Sequence, residues 1–174
     1  MTVFSFTSPR FHVVSVAVAA VAGLSTFGTL HAMLPASAMF LGWIAYALGG
    51  PSLRGGSARF ASFLFGLLFG IGTALVIAAL TPSLGAAATP LAVSGVVILV
   101  LSLRTMAPFD NSLAYFLGLT SFFYSGFAPS VATFAILAAA GAIGAASCAG
   151  AVWLEHRVTR GPASPRPTAS VALS

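Results

Sequence analysis

The chain has very little charge. Asp, Glu, Lys and Arg together make up 5% of its 174 residues, and the mean hydropathy is +1.05. An ordinary soluble domain carries roughly 25% charged residues, so this scarcity excludes a soluble fold for most of the length. Acids are scarcest of all, Asp110 and Glu155 being the two in the chain. Ion- and proton-coupled membrane proteins carry ionisable groups at membrane depth, where each is costly unless it is paired or working. Both acids fall outside the apolar runs or at the end of one, so coupled transport lacks its usual groups. Cysteine is nearly absent too. A lone Cys148 rules out an internal disulfide and a multi-cysteine metal site within one chain, and it is expected to be a small packing residue. No two of His12, His31 and His156 stand at metal-ligand spacing with a Cys or carboxylate nearby. Gly-x-Ser-x-Gly is missing, and no Ser, His and acid can be assembled at membrane depth. The chain is therefore expected to be no enzyme and to hold no metal or cofactor.

What is present is apolar sequence: 59% of the residues are hydrophobic. With about 20 apolar residues needed per span, a chain of this length has room for some six crossings and no separate soluble domain. Apolar runs lie at 12–34, 36–50, 60–80, 90–104, 113–127 and 130–153. Turn chemistry breaks them at Leu34-Pro35, Gly49-Gly50-Pro51-Ser52, Thr81-Pro82, Thr89-Pro90, Ala107-Pro108 and Ala128-Pro129. The fold class expected is an all-α membrane protein over residues 12–156. Residues 1–11 form a short tail, and 157–174, rich in Pro and Ser, a disordered one. No cleavable signal stands apart from the first apolar run.

The formal charge of +5 and pI near 10.8 raise the question of nucleic acid, but the seven basic residues are all Arg and are scattered at 10, 54, 59, 104, 157, 160 and 166. That distribution is a topology signal, not a binding patch. If all six runs cross, every Arg falls on one side, and the opposite loops around Pro35, TPSLGAAATP and GFAPS carry no charge. Both termini are then cytoplasmic. If the two short runs were re-entrant, Arg54 and Arg59 would lie outside, against the positive-inside rule.

Two phrases repeat. FLGWIAYALGG at 40–50 returns seventy-six positions later as FLGLTSFFYSG at 116–126. Each is the second, short run of a set of three, in repeats of about 12–80 and 90–153. An odd number of crossings per repeat makes the second repeat inverted, about a pseudo-two-fold axis in the membrane plane. A run of about 15 residues reaches only about 22 Å as helix, against a hydrocarbon core of roughly 30 Å. Such helices need shielding inside a bundle, or ends that meet a thinned or wet zone.

PASAMFLGWIAYALGGPSLRGG, MAPFDNSLAYFLGLTSFFYSG and the final small-residue helix together resemble the bacterial inner-membrane family of domain of unknown function 1097, over roughly residues 12–155. The resemblance implies a small multi-span protein of the inner membrane and carries no activity or catalytic residues with it.

Within the repeated phrase Gly42 and Gly118 occupy the same place, where they would let short helices cross closely or offer backbone carbonyls. Around them stand Trp43, Tyr46, Phe116, Thr120, Ser121, Phe122, Phe123 and Tyr124. Aromatic walls with a few hydroxyls and no charge suit a narrow path for a small neutral solute. The plainer alternative is an aromatic belt and core packing. Gly66 and Gly70, continued by Gly72, and Ala146 with Gly150 have the small-xxx-small spacing of close helix packing, within one chain or between copies in a homo-oligomer. Asp110 is expected to form a surface ion pair, with Arg104 six residues before it, or to cap a turn in APFDNS. Glu155 should sit at the interface, His12 and His156 should flank the membrane on the cytoplasmic side as structural residues, and His31, near the outer end of the first span, should be a satisfied or interface histidine or else a gating or substrate contact. Two functions follow. One is a passive channel for water, ammonia, urea, a short amide or a gas. The other is a non-transporting scaffold or accessory subunit that docks through glycine faces. The bilayer is a partner of either, and nucleic acid of neither.

Overall fold

The computed structural model describes residues 9–159, and among them there are six α-helices and no strand. Most of both expected tails lies outside these residues. Residues 9–11 belong to the first helix and 157–159 to the last.

The first helix, α1, covers Pro9–His31. It ends with Met33 in the left-handed region (φ +56°) while Leu34 N–H bonds Thr29 C=O at 3.0 Å. That is the six-to-one closure usual at helix C-termini, made here without the customary glycine. Helix α2, Ala36–Ala47, has 12 residues and is stopped by the Gly49-Gly50 turn, with Gly50 at φ +71°.

Helix α3, Leu53–Leu84, starts seven residues before the expected apolar run. The Ser52 side chain accepts the Gly55 N–H at 3.0 Å and caps it. At the other end the break expected at Thr81-Pro82 is absent. Pro82 sits inside the last turn, where it forfeits a single backbone bond, and Gly85 (φ +53°) ends the helix instead. A 3₁₀ turn at Gly85–Ala87 leads into α4, Ala88–Ser102, which passes into another at Leu103–Thr105. Asn111 then caps α5, Ser112–Ser125, by accepting the Ala114 N–H at 3.3 Å, and Gly126 (φ +67°) closes it. Helix α6 is Val131–Thr159.

Among the described residues three stretches are long and apolar enough to cross a membrane: Phe11–His31, Leu53–Thr105 (α3 and α4 together) and Val131–Arg157, while Ala36–Ala47 is apolar but short. The outer surface agrees with this. Leu24, Phe27 and Val131 are 73%, 71% and 86% exposed, an arrangement that water would penalise and lipid favours. The runs that open the two sets of three differ in length, as α1 has 23 residues and α4 has 15.

The core is built where the short helices meet the long ones. Met39 of α2, Phe63 and Leu67 of α3 and Leu137 of α6 have no exposed surface and form one cluster. Val100, Tyr115 and Leu119 form another between α4 and α5, with Phe69 of α3 stacked on Tyr115 at 5.9 Å. Helix α2 packs most extensively on α6 and α5 on α3, while α1 lies on α6 and α4 on α3.

Candidate functional site

The two short helices are held by the same device. A Cβ at Gly42 would collide with the carbonyl oxygen of Gly141, and one at Gly144 with the carbonyl oxygen of Met39. On α5 a Cβ at Gly118 would collide with the carbonyl oxygen of Phe63, and one at Gly66 with that of Tyr115. In each case two glycines let two backbones touch, and the residues in contact are three positions apart on every helix: Met39 and Gly42, Tyr115 and Gly118, Phe63 and Gly66, Gly141 and Gly144. Contact at this range gains dispersion over long lengths of backbone and tolerates no side chain in between.

Gly70 faces the ring of Phe122 across the same α3–α5 contact. Gly72 has nothing within 4 Å and borders a groove on α4. On α6 the small residues in contact are Gly141 and Gly144, not Ala146 and Gly150. Ala146 is exposed, and Gly150 has open space where its side chain would be. The tract AAGAIGAASCAG holds several overlapping pairs of small residues four apart, so spacing alone left the face of α6 undetermined.

The aromatic and hydroxyl residues of the phrases part company. Tyr46 is buried against Gly56, in a cluster with Cys148 and Ala145 that the half-buried Trp43 completes. Phe122 is buried in the central cluster. Thr120, Phe123 and Tyr124 face outward onto an apolar groove of about 400 Å³ shared with α4, which Phe116 and the buried Leu119 also border, and Tyr124 is 75% exposed. Ser121 is 2% exposed, and its hydroxyl has no hydrogen-bond partner among the described residues. Gly42, Gly118 and their aromatic neighbours thus fall into at least three surroundings. The other buried hydroxyls behave differently: Thr29 and Thr73 each donate back to the carbonyl four residues earlier, both at 2.7 Å.

Charge gathers at one end. Arg59 Nη1 donates to Asp110 Oδ1 at 2.6 Å and to the Pro108 carbonyl at 2.9 Å, tying α3 to the loop before α5. The partner of Asp110 is therefore Arg59, not Arg104, and the cap of the turn is Asn111. The Arg59 hydrogen bond and charge hold the Asp110 carboxyl below its ordinary value. Arg104 and Arg54 border recesses on either side of this pair. Arg157 lies over the Trp153 ring at 4.9 Å, in the last turns of α6. At α1 the exposed His31 stacks on Phe27, with ring centres 6.1 Å apart, and His12 meets Phe11 edge-on at 5.6 Å. Among the described residues no three His, Cys, Asp or Glu side chains gather as a metal site.

Residues 15–152 match the family described as protein of unknown function (DUF1097). The chain belongs to that family. No curated protein and no solved structure matches it. The family's span begins within α1, includes all of α2 to α5 and ends within α6, so it covers both glycine contacts.

Proposed function

We propose that this DUF1097 protein crosses the bacterial inner membrane six times as two inverted three-helix repeats, with its arginines on the cytoplasmic side. In this reading it is a passive facilitator for a small neutral solute, and the arrangement described above is its closed state. The observation that carries the proposal is the match between the two glycine contacts. Exchanging α2 with α5 and α3 with α6 turns one contact into the other, carbonyl for carbonyl, which is what an in-plane two-fold relation between inverted repeats would produce. Facilitation, not pumping, fits the lack of charge along the helices, since coupling to an ion needs groups that bind it. Arg54, Arg59 and Arg104 share one end of the bundle, which supports a single positive side.

A second reading, a non-transporting membrane scaffold or accessory subunit, is favoured by the divergence of Tyr46, Ser121 and Tyr124 into different surroundings. The test is direct. Purified protein in liposomes is followed by shrink–swell kinetics with water, urea, ammonia and short amides against empty vesicles. Faster equilibration for one or more of these solutes supports the facilitator. Unchanged kinetics for all of them, with the protein shown to be inserted, moves the assignment to the scaffold.

A further inference from the structure

We infer that the arginine-lined recess where α4 gives way to α5 binds a phosphate group, that of an anionic phospholipid. The recess has a volume of about 250 Å³ and is walled by Arg59, Arg104, Asp110, Asn111 and Ser112. A neighbouring recess of about 280 Å³ brings Arg54 to the other side of the same Arg59–Asp110 pair. Three arginines therefore line two recesses that share the Arg59–Asp110 pair. The Asp110 carboxylate is bound to Arg59, and Arg54 and Arg104 are exposed with no acidic partner among the described residues. The Arg59 guanidinium is fixed by its two bonds from Nη1, and its Nε is buried without an acceptor. The first turn of α5 borders the recess through Ser112 and Leu113, and a helix N-terminus adds a favourable field for an anion. Guanidinium forks match phosphate oxygens in geometry as well as in charge.

Two features select a lipid over free phosphate. The recess lies at the end of helices that are apolar for the rest of their length, the depth at which basic pockets between helices meet anionic headgroups. Along α3, which carries Arg59, and α4, which leads into Arg104, runs an apolar groove of about 410 Å³, bordered by Leu68, Phe69 and Val76 on α3 and by Leu91, Val96 and Leu99 on α4. Leu99 precedes Arg104 by five residues, about 7.5 Å of helix, so the groove is within reach of an acyl chain whose phosphate is at Arg104. A free phosphate has no use for that groove.

The inference rests on the membrane reading, and its test separates the two. Resistance of the protein to alkaline extraction from membranes checks embedding alone. Native mass spectrometry of the detergent-solubilised full chain is then run with phosphatidylglycerol and phosphatidylcholine of identical acyl chains. The wild type should retain phosphatidylglycerol preferentially. Arg54→Gln with Arg104→Gln should lower that retention about twenty-fivefold, near fivefold for each surface charge, and leave phosphatidylcholine unchanged. Both side chains are exposed, so the variant should keep the wild-type melting temperature. Equal retention of the two lipids, or no effect of the double substitution, overturns the site. Displacement of phosphatidylglycerol by excess inorganic phosphate overturns the lipid assignment and leaves a soluble anion as the ligand.

Discussion

Gly118 lies so close to the carbonyl oxygen of Phe63 that a Cβ would overlap it, and Gly42 stands in the same relation to Gly141. Gly118→Ala and Gly42→Ala should therefore be costly to similar degrees, each by about 1–3 kcal/mol as expected for overpacking a filled site. Gly23→Ala and Gly72→Ala are the controls. Nothing lies within 4 Å of either position, and both are helical. Each should gain up to about 1 kcal/mol from helix propensity. Thermal unfolding in detergent reads all four. A severe Gly42→Ala beside a silent Gly118→Ala would break the equivalence on which the inverted-repeat reading rests.

Arg59 and Asp110 make a second expectation, concerning pH. The folded-state carboxyl of Asp110 titrates below its ordinary value because Arg59 donates to it and stands beside it. A depressed carboxylate contributes stability that is complete above the unfolded value and lost as pH falls through the folded one. The melting temperature should thus drop on acidification below about pH 4, and Asp110→Asn should remove part of that drop. The effect is small, because the carboxylate is exposed and water screens the pair. A larger acid sensitivity in Asp110→Asn than in the wild type would contradict the assignment.

The sequence made some of these features legible and hid others for physical reasons. Composition and run lengths were enough for an all-helical, membrane-type chain, because 20-residue apolar runs have few other uses. The phrase around Gly42 and Gly118 stood out because its two copies share both glycine and aromatic positions. The glycines they touch did not stand out. Gly141 and Gly144 lie in a tract where nearly every residue is small, and only packing decides which face is used. The Arg59–Asp110 pair joins residues 51 apart in sequence, whereas the nearer Arg104 drew the assignment by proximity. Pro82 was read as a break because proline removes a donor, yet in a last turn the loss is one bond, and Gly85 sets the end. Ser121 could not be told from Thr120 in sequence, although adjacent helical positions point in directions about 100° apart and here one is buried and the other exposed.

Sidedness is checked with single cysteines placed in a Cys148→Ala background. Thr105→Cys lies at the arginine-bearing end and Ala86→Cys in the uncharged turn between α3 and α4. Positive-inside topology places the first in the cytoplasm and the second outside. An impermeant maleimide applied to intact cells should label Ala86→Cys and reach Thr105→Cys after permeabilisation. Labelling of both sites from outside would mean that α4 does not cross, and would leave three long spans without the six-span repeat.

Ser121 discriminates between the two functions most sharply. Its hydroxyl is buried and unpartnered, and a buried polar group without a hydrogen bond costs about 1–3 kcal/mol. In a permanently packed scaffold Ser121→Ala removes that cost, so stability should rise by about 1 kcal/mol with no other consequence. In a facilitator the hydroxyl is retained because a passing solute uses it in the open state, and flux should fall or change its solute preference while stability still rises. Thr120→Val serves as the comparison: Thr120 is exposed on the groove facing α4, so the packed reading expects little change there. Melting temperature and shrink–swell rate measured on the same preparations separate the cases. A rise in stability with unaltered flux assigns Ser121 to packing, and a fall in stability would show that the hydroxyl has a partner and would remove Ser121 from the argument for a pathway.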